Sequence, residues 1–350
     1  MRPSRILHAL TVVAGLITAD RALAAEPEVA VKATFLDPGA LIHGIYPGRR
    51  PVTEQDVRNE LDALHELGID SIVVTYVEYI HNTWGAFYDS SIDELTAHPN
   101  QLPFDLVEVV MSQAEKNKQQ VLLGIGRGND PFLTYTGCDD PERLKPALSL
   151  ATRVIREVHE KYAIRHTSFG GWYLTHECRD IAYASRYYNP LAELCHELTP
   201  GKPVMIAPDG APAADTEAIA ACQADIFAYQ DAVGAGFVPP PDEKYSYDPE
   251  VRLKGLAQRF QQYATWHAEN PKKQIWATVE LWQMDGPEYT AAYPAAWSRV
   301  RRQLDAVRPH VQGIIFYECG GFLESPESDV ESGGPAATRL FEALRESIEN

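Results

Sequence analysis

Short apolar runs recur along the chain, and segments of helical period fill the spaces between them. Eight runs read as strands: residues 41–46, 71–77, 121–126, 170–176, 204–207, 226–229, 275–279 and 313–317. Most are apolar at consecutive positions, as suits strands covered on both faces within a parallel sheet. The intervening segments have recognisable ends. Thr53 stands three residues before Asp56 in a capping-box arrangement, Val57, Leu61 and Leu64 follow at helical spacing, and Gly68 supplies a stop. Similar segments carry Val107, Val110, Met111 and Ala114, then Leu148, Ala151, Val154, Ile155 and Val158. Later helices are expected near 190–198, 216–222, 251–269, 295–307 and 336–348. Eight strands each followed by a helix predict an α/β fold, a single-domain (β/α)₈ TIM barrel.

Loop lengths support that pattern. Helix-to-strand connections are short, at 68–70, 117–120 and 200–203, whereas strand-to-helix connections at 78–102, 127–140, 231–249 and 320–334 are long. In a barrel the long ones all emerge at the C-terminal face, where this fold builds its sites. A doubly wound open sheet is the alternative, and the chain has no glycine-rich phosphate loop after its first strand to favour it.

The first residues change the domain picture. Arg2 and Arg5 precede an apolar stretch from Leu7 to Ala19, and Ala22-Leu23-Ala24 has the small-x-small form of a cleavage site. Residues 1–24 are therefore expected to be a signal peptide and 25–350 the barrel, with the protein exported to the periplasm or outside the cell. Removing 1–24 takes away three Arg and one Asp and moves the net charge from -18 to -20. So acidic a surface disfavours nucleic acid and anionic lipid. An oligo- or polysaccharide partner is expected, neutral or basic, with no membrane contact after cleavage and no cofactor. The five cysteines (Cys138, Cys178, Cys195, Cys222, Cys319) match no zinc spacing. They read as buried small apolar residues or as one bridge such as Cys138–Cys178.

The candidate chemistry lies at the strand ends: His43, Glu78, Arg127, His176, Glu177, Asp209, Gln230, Asp231, Glu280 and Glu318 form an expected polar rim. Glu177 and Glu280 stand out, because they close the fourth and seventh strands. Alternation puts Tyr173, Thr175 and Glu177 on one face and Trp276, Thr278 and Glu280 on another, both expected to point inward, with Trp172 facing the helices. Two carboxylates at one rim are the working parts of glycoside hydrolysis. Aromatic residues are expected as sugar platforms: Trp84, Phe87 and Tyr88 after the second strand, Trp282 after Glu280, and Tyr245 and Tyr247 after the sixth. Arg127, His176 and Tyr317 are the candidate donors to the nucleophile. Two rival readings remain open. One is a metal-dependent barrel hydrolase or isomerase using His43, Glu177, Asp209, Glu280 and Glu318, and the other a barrel that binds glycan without cleaving it.

The motifs Gly171-Trp172-Tyr173-Leu174-x-x-Glu177, Tyr229-Gln230-Asp231-x-Val233-Gly234 and Ala86-Phe87-Tyr88-Asp89-Ser90 resemble an uncharacterised bacterial family described as TIM-barrel glycosyl hydrolases. The strand-four and strand-seven glutamates resemble those of the clan A glycoside hydrolases. That resemblance implies a retaining enzyme with Glu177 as acid/base and Glu280 as nucleophile. The chain departs from the clan at His176, where Asn is common, and at Tyr317-Glu318, where Trp is usual near the end of the eighth strand. Glu318 is thereby a third carboxylate, able to tune the pair or replace one member.

Overall fold

The computed structural model describes residues 30–43, 50–81, 85–97, 102–128, 130–210, 212–235, 248–284, 292–328 and 333–349. Eight parallel strands close into a barrel in sequence order. They are β1 Val31–Leu36, β2 Ser71–Val74, β3 Gln120–Ile125, β4 Phe169–Leu174, β5 Val204–Ile206, β6 Ile226–Gln230, β7 Gln274–Glu280 and β8 Gly313–Tyr317. β1 pairs with both β2 and β8, which seals the ring and leaves no edge. The (β/α)₈ expectation holds.

Alternation along each strand sorts side chains into two cores. Ala33, Phe35, Val73, Leu122, Tyr173, Met205, Ala207, Ile226, Ala228 and Ile315 fill the barrel interior. Their neighbours Leu36, Val74, Leu123, Trp172, Leu174, Ile206, Tyr229, Val279 and Phe316 join the larger core under the helices. Trp172 is fully buried there, and its Nε1 donates to Thr199 Oγ1 at 2.8 Å. Apolar residues on both faces are why the strands read as continuous runs.

The first strand is a correction. The run read as a strand at 41–46 begins inside the helix Pro38–His43, and its remainder lies outside the described residues. The strand is Val31–Leu36, where Lys32 and Thr34 interrupt the apolar run and made it less conspicuous. Pro38 then opens a helix, because its fixed φ suits a first turn and its missing N–H is not needed there. A second correction concerns the helix expected to begin at Pro190. It runs Ile181–Leu198 straight through that proline and is capped by Asp180, which accepts from the Tyr183 N–H at 2.9 Å.

The helix Glu54–Glu66 starts with the expected capping box. The Thr53 hydroxyl accepts from the Asp56 N–H, and Asp56 Oδ2 accepts from the Thr53 N–H at 2.7 Å. Thr53→Ala removes one of these and should lower stability by about 1 kcal/mol in urea titration. An unchanged midpoint at unchanged slope would show that the Asp56 half of the box suffices.

All five cysteines are buried and unpaired, so the Cys138–Cys178 bridge does not form. Cys138 Sγ instead faces the Leu133 carbonyl at 3.4 Å, and Cys319 Sγ the Phe35 carbonyl at 3.1 Å. Among the described residues no helix is long and apolar enough to cross a membrane.

Candidate active site

The ends of all eight strands open into one cavity of about 540 Å³. Asp37 follows β1, Thr75 and Tyr76 follow β2, and Arg127 follows β3. Thr175 and Glu177 follow β4, and Asp209 follows β5. Gln230 closes β6, Glu280 closes β7 with Trp282 just beyond, and Tyr317 closes β8 before Glu318. All of these line the cavity wall. The structure therefore brings together Glu177, Glu280, Arg127, Gln230, Trp282, Tyr317 and Glu318.

Glu280 is almost entirely shielded from solvent. Its Oε2 accepts from the Ala235 N–H at 2.7 Å, in a loop that approaches closely because Gly234 has no side chain to strike the Trp282 backbone. Arg299 Nη2 and Gln303 Nε2 hold the Glu280 carbonyl at 2.9 and 3.1 Å. Burial, reinforced by the charge of Asp231, lifts the Glu280 carboxyl to about 8. Asp231 itself lies behind the wall. It is fully buried, accepting from Gln303 Nε2 at 2.5 Å and from the Val233 and Glu280 N–H groups at 3.2 and 3.4 Å.

Glu177 has different company. Its Oε2 accepts from the Tyr135 hydroxyl at 3.3 Å, and its backbone carbonyl accepts from the Thr134 hydroxyl. Burial works against the charge of Arg127, but Glu177, Tyr79 and Tyr173 together outweigh it, and the guanidinium is held above its ordinary value. Arg127 also lies over the Tyr79 ring, 5.1 Å from the centroid. Asp209 is buried and accepts from Arg179 Nε at 2.9 Å.

Several expected rim residues sit elsewhere. His176, one position out of phase with Glu177, turns edge-on to Tyr187 in the helix layer and is 1% exposed, so it cannot reach a ligand in the cavity. Burial, with Arg127 nearby, pushes it down to about 4. Tyr88 is buried and donates to Glu157 Oε2 at 2.7 Å, away from the cavity, and Phe87 is core. Asp231 supports Glu280 from behind rather than facing a ligand. Glu78 folds back to accept from the Gly126 N–H at 2.7 Å and is lifted to about 8 by burial. His43 ends the helix after β1, not a strand. Trp84, Tyr245 and Tyr247 lie outside the described residues. Among the described residues no three of His, Cys, Asp and Glu converge in an arrangement that could hold a metal ion.

Sequence reasoning missed Asp37, Thr75, Tyr76, Tyr79, Tyr135 and Phe322, all on the cavity wall. Asp37 was recoverable, because it follows the alternating Ala33 and Phe35 just as Glu177 follows Tyr173 and Thr175.

The chain belongs to the family described as "Domain of unknown function (DUF4434)", whose model matches residues 31–330. No curated protein matches the sequence. Among solved structures, a candidate α-L-fucosidase from Bacteroides thetaiotaomicron is 19% identical, with a TM-score of 0.69 over 99% of both chains. A glycoside hydrolase family 5 mannosidase from Rhizomucor miehei is 10% identical, with a TM-score of 0.56 over 91% of this chain and 94% of that one. A family 2 β-galacturonidase from Eisenbergiella tayi is 16% identical, with a TM-score of 0.51 over 91% of this chain. This chain spans about half of that enzyme, 51% of its length. At these identities the likeness establishes the barrel.

Proposed function

We propose that this DUF4434 member is a retaining glycoside hydrolase with Glu177 as acid/base and Glu280 as nucleophile. One observation carries the reading: carboxylates from β4 and β7 face the same cavity, beside the aromatic rings of Tyr79, Tyr135 and Trp282. A sugar ring stacks on such faces while its hydroxyls meet the polar wall. Glu280 then attacks the anomeric carbon as Glu177 protonates the departing oxygen. A glycosyl ester forms, and water attacks it with Glu177 now acting as base, restoring both carboxyls. Arg127 and Tyr135 orient Glu177. The barrels of the neighbours named as fucosidase, mannosidase and galacturonidase agree with this reading.

The electrostatics of the cavity favour a second order of roles. Burial and Asp231 keep a proton on Glu280, while Glu177 faces a cation and a hydroxyl donor. In that order Glu280 is the acid and Glu177 the nucleophile. A 2-deoxy-2-fluoroglycosyl fluoride separates the two, since it traps the ester for peptide mass spectrometry. Label on Glu280 supports the first order, and label on Glu177 the second. No label, together with an inverted product anomer, excludes a glycosyl-enzyme altogether, and no hydrolysis across a panel of aryl glycosides removes the enzyme reading.

Either order requires one proton and one charge across the pair, so loss of the higher-affinity proton ends activity. The alkaline limb of kcat/KM is therefore expected near pH 8, the value to which Glu280 is lifted. Asp231→Asn removes a negative charge that opposes ionisation of Glu280. Its alkaline limb should move to lower pH, and a limb that stays in place would show that burial alone sets the value.

Export is part of the proposal. Arg2, Arg5, the stretch Leu7 to Ala19 and Ala22-Leu23-Ala24 are read as a removable leader. Intact mass of the exported protein should place its N-terminus at Ala25.

A further inference from the structure

The cavity holds a second carboxyl pair that hydrolysis does not use. Asp37 and Glu318 follow β1 and β8, the neighbours that close the barrel, and the Asp37 N–H donates to Glu318 Oε2 at 3.0 Å. Asp37 is well supplied with donors. Its Oδ1 accepts from the Tyr76 hydroxyl at 2.6 Å and the Gly39 N–H at 2.7 Å, and its Oδ2 from the Tyr317 hydroxyl at 3.3 Å. Glu318, 6% exposed, accepts only the Asp37 N–H among the described residues. No Lys or Arg of the described residues forms an ion pair with either carboxyl, and Arg127 acts on Asp37 only at a distance.

A second observation points to a ligand at this corner. Thr75 stands beside Asp37 across the β1–β2 seam, its N–H donating to the Leu36 carbonyl at 3.0 Å. Its side chain lines the cavity at 9% exposure, and its hydroxyl has no hydrogen-bond partner among the described residues. The Thr175 hydroxyl, at 2% exposure on the same wall, is likewise unpartnered. Buried hydroxyls left in this state are costly unless a bound group completes them.

Charge selects the kind of group. Among the described residues the wall carries the carboxyls of Asp37, Glu177, Asp209, Glu280 and Glu318 against the single guanidinium of Arg127, which faces Glu177. Arg179 answers Asp209. A uronic acid entering here meets repulsion. A neutral sugar satisfies the threonines but leaves two adjacent buried acids without a cation. An ammonium group answers both acids and donates three hydrogen bonds.

We propose that the Asp37–Glu318 corner is a subsite for the ammonium group of an amino sugar with a free amine, and that Thr75 binds a hydroxyl of the same ring. The inference rests on the glycoside hydrolase reading, since it presumes a sugar in the cavity. Burial raises both acids, and an ammonium group set against them would favour their charged forms.

The test is isothermal titration of the mature protein with methyl glycosides of glucosamine, glucose and glucuronic acid and their galacto counterparts, both anomers, at about pH 6, where a sugar amine is charged. One aminoglycoside should bind about tenfold tighter than its neutral parent. The uronide should bind least. Asp37→Asn and Glu318→Gln should each abolish that preference, and Glu177→Gln should keep it. Thermal melts confirm that the near-isosteric variants fold. Equal binding of amine and neutral parent overturns the subsite and leaves the hydrolase reading standing. A preference that survives both variants also overturns it, by placing the amine elsewhere. Binding of no sugar at all brings down the hydrolase reading itself, and the subsite with it.

Discussion

Glu177→Gln and Glu280→Gln should each lower kcat by about 10²–10⁴-fold or more, the range associated with losing a positioned acid, base or nucleophile. Each replaces a carboxyl by an amide of nearly equal size, so the fold is expected to persist. The melting behaviour of Glu280→Gln should also change in a specific direction. Glu280 is lifted from 4.5 to about 8 in the folded protein. Between those values the native state holds a proton that the unfolded chain has released, so wild-type stability falls as pH rises through that window. The amide does not titrate. The melting temperature of Glu280→Gln relative to wild type should therefore climb from about pH 5 to pH 8 and level off above it. Retained activity in Glu280→Gln would remove it from the chemistry. Glu318→Gln should cost less turnover than either, since its carboxyl is placed to hold substrate. A larger loss there would mean that Glu318, not one of the other two, belongs to the reacting pair.

Much of this site was legible in the chain because a parallel barrel writes its strands as dense apolar runs and its chemistry just past them. Glu177 and Glu280 each follow an alternating strand, so their phase fixed the face they point to. The same phase rule argues against His176, one residue earlier, although its ring made it a candidate donor to the nucleophile. The structure follows the phase. Asp37 escaped notice because Lys32 and Thr34 interrupt the strand before it, while the denser run Ala40, Leu41 and Ile42 is a helix after Pro38. Tyr135 lies in the single helical turn Leu133–Thr136 within a long connection, where no periodicity predicts its approach to Glu177. The proton held on Glu280 was not legible at all. It depends on Asp231, which a β6 motif places behind the wall, and on burial that only the assembled helices impose.

The same buried neighbourhood makes Arg299→Ala the most damaging change outside the carboxyl pair. Arg299 is 9% exposed on the helix Trp297–Val307. Its Nη2 donates to the Glu280 and Trp282 carbonyls at 2.9 and 2.8 Å, and its Nη1 to Gln283 Oε1 at 3.4 Å. Burial lowers its pKa, and the charges of Asp231 and Glu280 only partly restore it, so the guanidinium stays where it is through its fit rather than through bulk attraction. Removing it leaves two carbonyls at the end of β7 without this donor and takes from Asp231 the cation that acts on it most strongly. Breaking a buried charge network from one side costs about 3–5 kcal/mol. Catalysis should suffer as well, because Arg299 fixes the backbone that carries Glu280, and a shift of about 1 Å in a reacting group can cost about 10²-fold. Arg299→Lys keeps the charge but offers a point donor in place of a planar fork, so it should recover part of the stability and little of the turnover. Thermal melts and kcat for the two variants separate the contributions. If Lys restores both in full, charge is what matters at this position. If Ala melts like wild type, the end of β7 is held by Gln303 and the strand hydrogen bonds without it.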